Sequence, residues 1–201
     1  MTIIEKATIK HYHQHRIKRG QYSRAGKQGW ISDEAQKVRH EVIMSLADFN
    51  NASVLDVGCG YGDLKDLLEE RFRRFDYIGI DQQPEFIEEA RKKYEGQPGV
   101  WFYEADVAAC QLPQMDIVVA SGLLSYRSES YQYYFGMIKR LFEAAEKSFI
   151  FNMLDDTAFQ STELLVAHSK EKVVAFCQEL AVAPVLIDNY LKNDFTICMN
   201  K

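Results

Sequence analysis

Between Val54 and Asp63 the chain reads VLDVGCGYGD, with glycines at alternate positions 58, 60 and 62 and an aspartate, Asp56 or Asp63, towards each end. Glycine takes positive φ without a Cβ penalty and lets bare backbone approach a ligand. Where such a turn opens a helix, it also offers unpaired N–H groups to an acceptor. A dinucleotide-binding turn requires G-x-G-x-x-G, and here Asp63 stands where the last glycine belongs. An acid at that place competes with a pyrophosphate for the positive end of the helix. The pair Asp56 and Asp63 suits a ligand that carries positive charge and no phosphate. Two more carboxylates fall at the ends of apolar runs. YIGID ends at Asp81, nineteen residues after Gly62, where an acid can accept bonds from both hydroxyls of a ribose. Shielded charge-assisted bonds of that kind are worth roughly 1.5–3 kcal/mol net. EADV places Asp106 where a carboxylate can accept from an adenine amino group, and DIVVASGLL ends in the small residues Ala120, Ser121 and Gly122. S-adenosylmethionine, with a sulfonium, an ammonium and one carboxylate, matches these demands.

These residues need elements that bring them to one edge. SVLDV, YIGI, VWFYE, DIVVA and SFIFNM read as strands, separated by amphipathic segments with apolar residues at helical spacing. One such stripe is Leu64, Leu67, Leu68 and Phe72; the strongest runs from Tyr131 to Ala145. Pro84 and Ser169 are suited to open helices, and Ser32 to cap one carrying Ala35, Val38, Val42 and Leu46 inward. At the C-terminal end APVLIDNYL and FTICMN flank a short turn and must pair antiparallel. The expected fold is α/β: a doubly wound, mostly parallel seven-stranded sheet with an antiparallel C-terminal strand, plus an N-terminal helical cap arm. The expected division is a basic arm and cap helix over 1–51 and a Rossmann-like body over 52–201.

VLDVGCGYGD, YIGID, EADV and DIVVAS, in that order, resemble the class I (Rossmann-like) S-adenosylmethionine-dependent methyltransferases. The resemblance covers residues 52–201, and GWISDEAQKVRHEV is similar to the cap helix that precedes the first motif in small bacterial members. It implies S-adenosyl-L-methionine as cofactor and S-adenosyl-L-homocysteine as product. Asp56, Gly58, Cys59 and Gly60 would line the methionine end, and Asp81 would hold the ribose with Gln82 against the adenine. Asp106 and Val107 would meet the adenine edge, Ser121 and Gly122 would flank the sulfonium, and Gln36 and Arg39 would reach the amino-acid end from the cap. Only AACQLPQM separates Val107 from Asp116, so the helix usual between the third and fourth strands is expected to be short or absent, leaving the adenine pocket more open.

Methyl transfer is an in-line displacement whose hard chemistry the cofactor carries, so no catalytic residue follows from spacing. Tyr126, Arg127, Asp155, Tyr12 and Tyr22 are candidates to line the acceptor site. The fourth strand is followed by SGLL rather than the [DN]-P-P-[FYW] of amino-methylating nucleic-acid enzymes, and no cysteine follows a proline as in the cytosine C5 enzymes. A small-molecule acceptor is expected. The chain carries −5 overall, but residues 1–29 hold seven Lys/Arg against Glu5 alone, a +6 arm on a −11 body. Such an arm either docks on its own body or keeps an RNA or protein acceptor as an alternative, though nucleic acid is not favoured. A non-catalytic S-adenosylmethionine-binding protein is the further alternative. His11, His13 and His15 alternate and read as solvated arm residues, and no metal site is expected. The four dispersed cysteines read as free thiols, and no apolar run approaches a membrane span, so the cytoplasm is expected, with no membrane partner. Oligomeric state is left open.

Overall fold

The computed structural model describes residues 1–201. Its sheet has strands β1 (Ser53–Val57), β2 (Asp76–Asp81), β3 (Val100–Glu104), β4 (Met115–Ala120), β5 (Ala145–Asp155), β6 (Ala167–His168), β7 (Val185–Ile187) and β8 (Asp194–Asn200). The seven-strand path runs β3-β2-β1-β4-β5-β8-β7, with the two-residue β6 added beside the end of β5. Pairing is parallel from β3 to β5 and antiparallel at β5–β8 and β7–β8. This is the expected sheet. Strand order reverses between β1 and β4, so a crevice opens beyond their carboxyl ends.

Helices α4 (Asp63–Arg71), α5 (Pro84–Lys93), α6 (Tyr131–Ala144) and α7 (Lys170–Leu180) cross over the sheet. Alternation along the strands sorts the core in two. Leu55, Val57, Val118 and Ala120 join α6 and α7 in a cluster of 24 buried residues. Val54, Ile117 and Val119 join α3 (Asp33–Ser45), α4 and α5 in a cluster of 18. Pro84 lies in the first turn of α5, and Ser32 and Ser169 cap α3 and α7 by accepting from the Ala35 and Lys172 N–H groups. No helix stands between β3 and β4. No helix is long and apolar enough to cross a membrane.

The arm is ordered. Helix α1 (Ile3–Lys18) starts in a capping box, in which Thr2 accepts from the Glu5 N–H and Glu5 accepts from the Thr2 N–H. A short α2 (Arg24–Lys27) links it to α3. On a helix, positions 11 and 15 share a face and 13 turns away from them. Hence His11 and His15 are exposed while His13 is buried, which corrects the expectation of three solvated histidines.

Candidate functional site

The glycine turn follows β1 with positive φ at Gly58 (79°), Gly60 (56°) and Gly62 (79°). Gly62 leads into α4 and is closely packed: an added Cβ would lie 2.9 Å from the Phe102 ring and 3.0 Å from that of Tyr94. The turn is locked to β2, since Gly58 and Cys59 both donate to the Ile80 carbonyl, at 2.7 and 3.1 Å. Asp81 completes the junction, accepting from the Gly60 N–H at 3.0 Å and the Gln83 N–H at 2.8 Å. A carboxylate has about four lone-pair sites, so each oxygen keeps one for a ligand. Burial pushes the Asp81 carboxyl up to about 6 against those backbone bonds.

Asp56 lies one strand over, accepts from the Tyr77 hydroxyl and is pushed up to about 7 by burial. Cys59 is buried with its thiol pushed well up by that burial and by Asp81, so it acts as filler. At the end of β4, Asn152 of β5 accepts from the Gly122 N–H at 2.7 Å and donates to Ser121 Oγ at 3.1 Å, pinning the two small residues. Asp106 folds a turn on itself through the Ala108 N–H. Burial raises its carboxyl, but the bonds from Lys6 and Ala108 outweigh that and leave it below the usual range.

All twelve residues expected at the cofactor, Gln36, Arg39, Asp56, Gly58, Cys59, Gly60, Asp81, Gln82, Asp106, Val107, Ser121 and Gly122, border one cavity of about 220 Å³ at the switch point. Two of them also serve the protein's own structure. Arg39 forks onto Asp194, with Nε 2.8 Å from Oδ1, and donates to the Ala35 carbonyl at 2.7 Å. Gln36 donates to Asp63 at 3.2 Å. Of the acceptor-side candidates, Tyr126 borders the cavity. Arg127 is exposed and donates to the Thr162 carbonyl, Asp155 pairs with Lys170 at 3.0 Å, and the Tyr12 and Tyr22 rings pack on Arg16.

The arm supplies the rest of the wall. Lys6 reaches Asp106 at 2.5 Å and Lys10 lies 4.0 Å from Glu104, so α1 covers the adenine side that the short β3–β4 link was expected to leave open. Arg24 binds Asp63 at 2.6 Å and also Glu89. Gln28 reaches Asp63 too, and its amide sits where a Cβ on Gly60 would be, 1.9 Å from Oε1. The Trp30 ring covers Gly122 in the same manner, at 2.6 Å. Thus the acid that sets this turn apart from a dinucleotide-binding one is the anchor of the arm. His13, Gln28, Trp30 and His40 all border the cavity, and reading the sequence assigned none of them to it. The capping box Thr2–Glu5 was the available signal that the arm opens as a helix; nothing local placed that helix against the cavity.

A family model described as a methyltransferase domain matches residues 54–144. A protein of Mycobacterium tuberculosis named as a methyltransferase is 28% identical over 158 residues, 74% of this chain and 93% of the relative. Trans-aconitate 2-methyltransferase of Methylobacterium nodulans is 37% identical over 97 residues, 48% of this chain and only 36% of that enzyme's length. Among solved structures, magnesium protoporphyrin IX methyltransferase of Synechocystis with bound SAH superposes with a TM-score of 0.72 at 17% identity, over 98% of this chain and 99% of the other. The chain thus carries a match to a methyltransferase domain over residues 54–144, on a sheet whose topology is that of the solved Rossmann-like methyltransferase.

Proposed function

We propose that the protein transfers a methyl group from S-adenosylmethionine to a small-molecule acceptor, with residues 1–51 as a cap on the body 52–201. The observation that carries this reading is the Asp81 carboxylate, held by the Gly60 and Gln83 N–H groups beside a cavity that all twelve expected contacts border. Asp81 would accept the ribose hydroxyls, and Asp106 and Val107 would receive the adenine edge with Gln82 alongside. Gly58, Cys59 and Gly60 with Asp56 would take the methionine end, with Gln36 and Arg39 near it, and Ser121 and Gly122 would leave room at the sulfonium. When bound, the cofactor supplies an electrophilic methyl group; the protein aligns the acceptor, an effect worth up to roughly 7–11 kcal/mol.

The arm's charge pairing favours a small acceptor over RNA or protein. Lys6, Lys10 and Arg24, three of the arm's seven basic residues, face Asp106, Glu104, Asp63 and Glu89 of their own chain. A cytoplasmic location is part of the same reading, supported by four cysteines free of disulfides.

Calorimetric titration with S-adenosylmethionine, S-adenosylhomocysteine and NAD tests the pocket. Micromolar binding of the adenosyl ligands, absent for NAD and weakened at least about tenfold in Asp81→Ala, supports the reading; a folded protein that binds neither adenosyl ligand overturns it. Transfer of labelled methyl groups to metabolite and RNA pools then separates a small acceptor from RNA. No transfer to any pool identifies the non-catalytic binder.

A further inference from the structure

Tyr126, just after the 3-10 turn Leu123–Ser125, and His13 of α1 meet on the cavity wall. Tyr126 Oη lies 2.7 Å from His13 Nε2, and His13 Nδ1 lies 3.1 Å from the Lys27 carbonyl oxygen. A carbonyl oxygen only accepts, so the hydrogen-bond partners assign the proton of the neutral ring to Nδ1 and leave the lone pair on Nε2. Tyr126 therefore donates its O–H to Nε2, and its own oxygen is left to accept from a ligand.

The groups around the pair keep both partners in those states. Burial lowers His13 to about 4 over the opposing pull of the Lys27 carbonyl, with the charge of Arg16 adding to it, so the ring is neutral at physiological pH. Burial also raises Tyr126, with Tyr12 and Asp81 adding to the effect and Arg16 opposing, so the phenol keeps its proton. Phe86 and Tyr12 pack edge-on against the imidazole and hold it in place.

The surrounding wall states what kind of molecule fits. Its side-chain cations, Lys6 and Arg39, are each paired with a carboxylate, Asp106 at 2.5 Å and Asp194 at 2.8 Å. Asp56 and Asp81 add further acid, while Trp30, Phe86, Tyr133 and Phe159 contribute rings. An anionic acceptor finds no free side-chain cation there, whereas an uncharged ring finds aromatic surface.

Resting on the methyltransferase reading, we propose that the acceptor is an uncharged phenolic hydroxyl compound, and that its O–H is relieved of its proton through Tyr126 to His13. The acceptor oxygen forms its bond to the methyl carbon as the carbon–sulfur bond breaks, its electron pair passing to sulfur. The acceptor's proton moves to Tyr126 Oη, and the proton of Tyr126 moves to His13 Nε2. The positive charge lost at sulfur is then carried by the imidazolium. A weak base suffices, because the attacking hydroxyl becomes strongly acidic as its bond to carbon forms. Tyr126 is the group that touches the acceptor, and His13 acts through it. A carboxylate acceptor has no proton to lose and gains nothing from the pair.

The test uses the full chain, labelled S-adenosylmethionine, a phenol panel (phenol, catechol and resorcinol) and trans-aconitate as the carboxylate probe. The expected result is transfer to a phenol and none to trans-aconitate. Tyr126→Phe and His13→Gln should lower kcat about 10²–10³-fold, within the range of general acid–base catalysis, with KM and S-adenosylhomocysteine affinity little changed. A purely structural role would not alter the pH profile. Between pH 7 and 9, wild type should vary little, while His13→Gln should gain about tenfold per pH unit below the acceptor's own pKa, because only pre-ionised phenolate then reacts. Tyr126→Phe removes a single oxygen and carries the test if His13→Gln does not fold. Phenol transfer unaffected by both variants, transfer to trans-aconitate alone, or no transfer to any phenol by a protein that binds S-adenosylhomocysteine overturns the proposal. Failure of the wild type to bind S-adenosylhomocysteine strikes the methyltransferase reading beneath it instead.

Discussion

The two walls of the cavity are made of different material. The sheet wall consists of bare backbone at Gly58 and Gly60 and of short carboxylates, Asp56, Asp81 and Asp106, at or near strand ends. The strand ladder sets their positions to within a residue's register, and backbone N–H groups orient the carboxylate of Asp81. The arm wall consists of long side chains, Lys6, His13, Gln28, Trp30 and Arg39, projecting from helices and linkers. Each is held by contacts to individual side chains and carbonyls rather than by a ladder. The difference separates two jobs: a stiff surface that defines the cofactor, and a replaceable one that closes the cavity and meets the acceptor.

The largest expected effect on cofactor binding falls on the stiff wall. Asp81→Ala should weaken S-adenosylhomocysteine binding by roughly 10–150-fold, the equivalent of about 1.5–3 kcal/mol, measured by calorimetry. Binding that survived this change but vanished on altering the arm would reverse the two roles. The same carboxylate sets a pH dependence. Burial raises it to about 6, so the folded, unliganded state takes up a proton more readily than the unfolded chain, and its favourable contribution is lost as pH rises through about 6. A ribose hydroxyl donates to the ionised form, so ligand affinity runs the other way and should fall by about tenfold from pH 7 to pH 5. Asp81→Asn should flatten that dependence.

Gly62→Ala comes next. A Cβ there meets the Phe102 and Tyr94 rings at 2.9 and 3.0 Å with φ at 79°, and should cost about 1–3 kcal/mol in urea unfolding. Arg24→Ala removes the arm's link to Asp63 and Glu89 and should lower global stability by no more than about 1 kcal/mol. Its signature is local: faster hydrogen exchange over residues 3–18, with the sheet unchanged. Equal acceleration in β1 and β2 would mean the arm is part of the core rather than a replaceable wall. The smallest effect is Lys6→Ala. It frees Asp106 from a pair of about 0.2–1 kcal/mol and should raise S-adenosylhomocysteine affinity by at most about fivefold.

The two walls also differ in how far the sequence discloses them. Ser32 and Ser169 act within three residues of themselves, and the two-residue period of β1 and β4 sorts their side chains to two faces whatever the partner. Local signals of that kind suffice for the order of elements. The three histidines read alike as solvated, but the capping box at Thr2 starts a helix on which position 13 turns away from 11 and 15 and into the body. The +6 charge of residues 1–29 was visible as a number, but a number does not name partners.

By itself, then, the sequence determined the sheet, its glycine turn and the carboxylates at or near strand ends, because period, caps and turn chemistry act over a few residues. Tertiary structure alone decided the second wall. Lys6 finds Asp106 across 100 residues, His13 finds Tyr126 across 113, and Arg39 finds Asp194 across 155. Such pairs exist only once the crossovers have brought distant strand ends to the same edge, and no local spacing encodes which side chains will meet there.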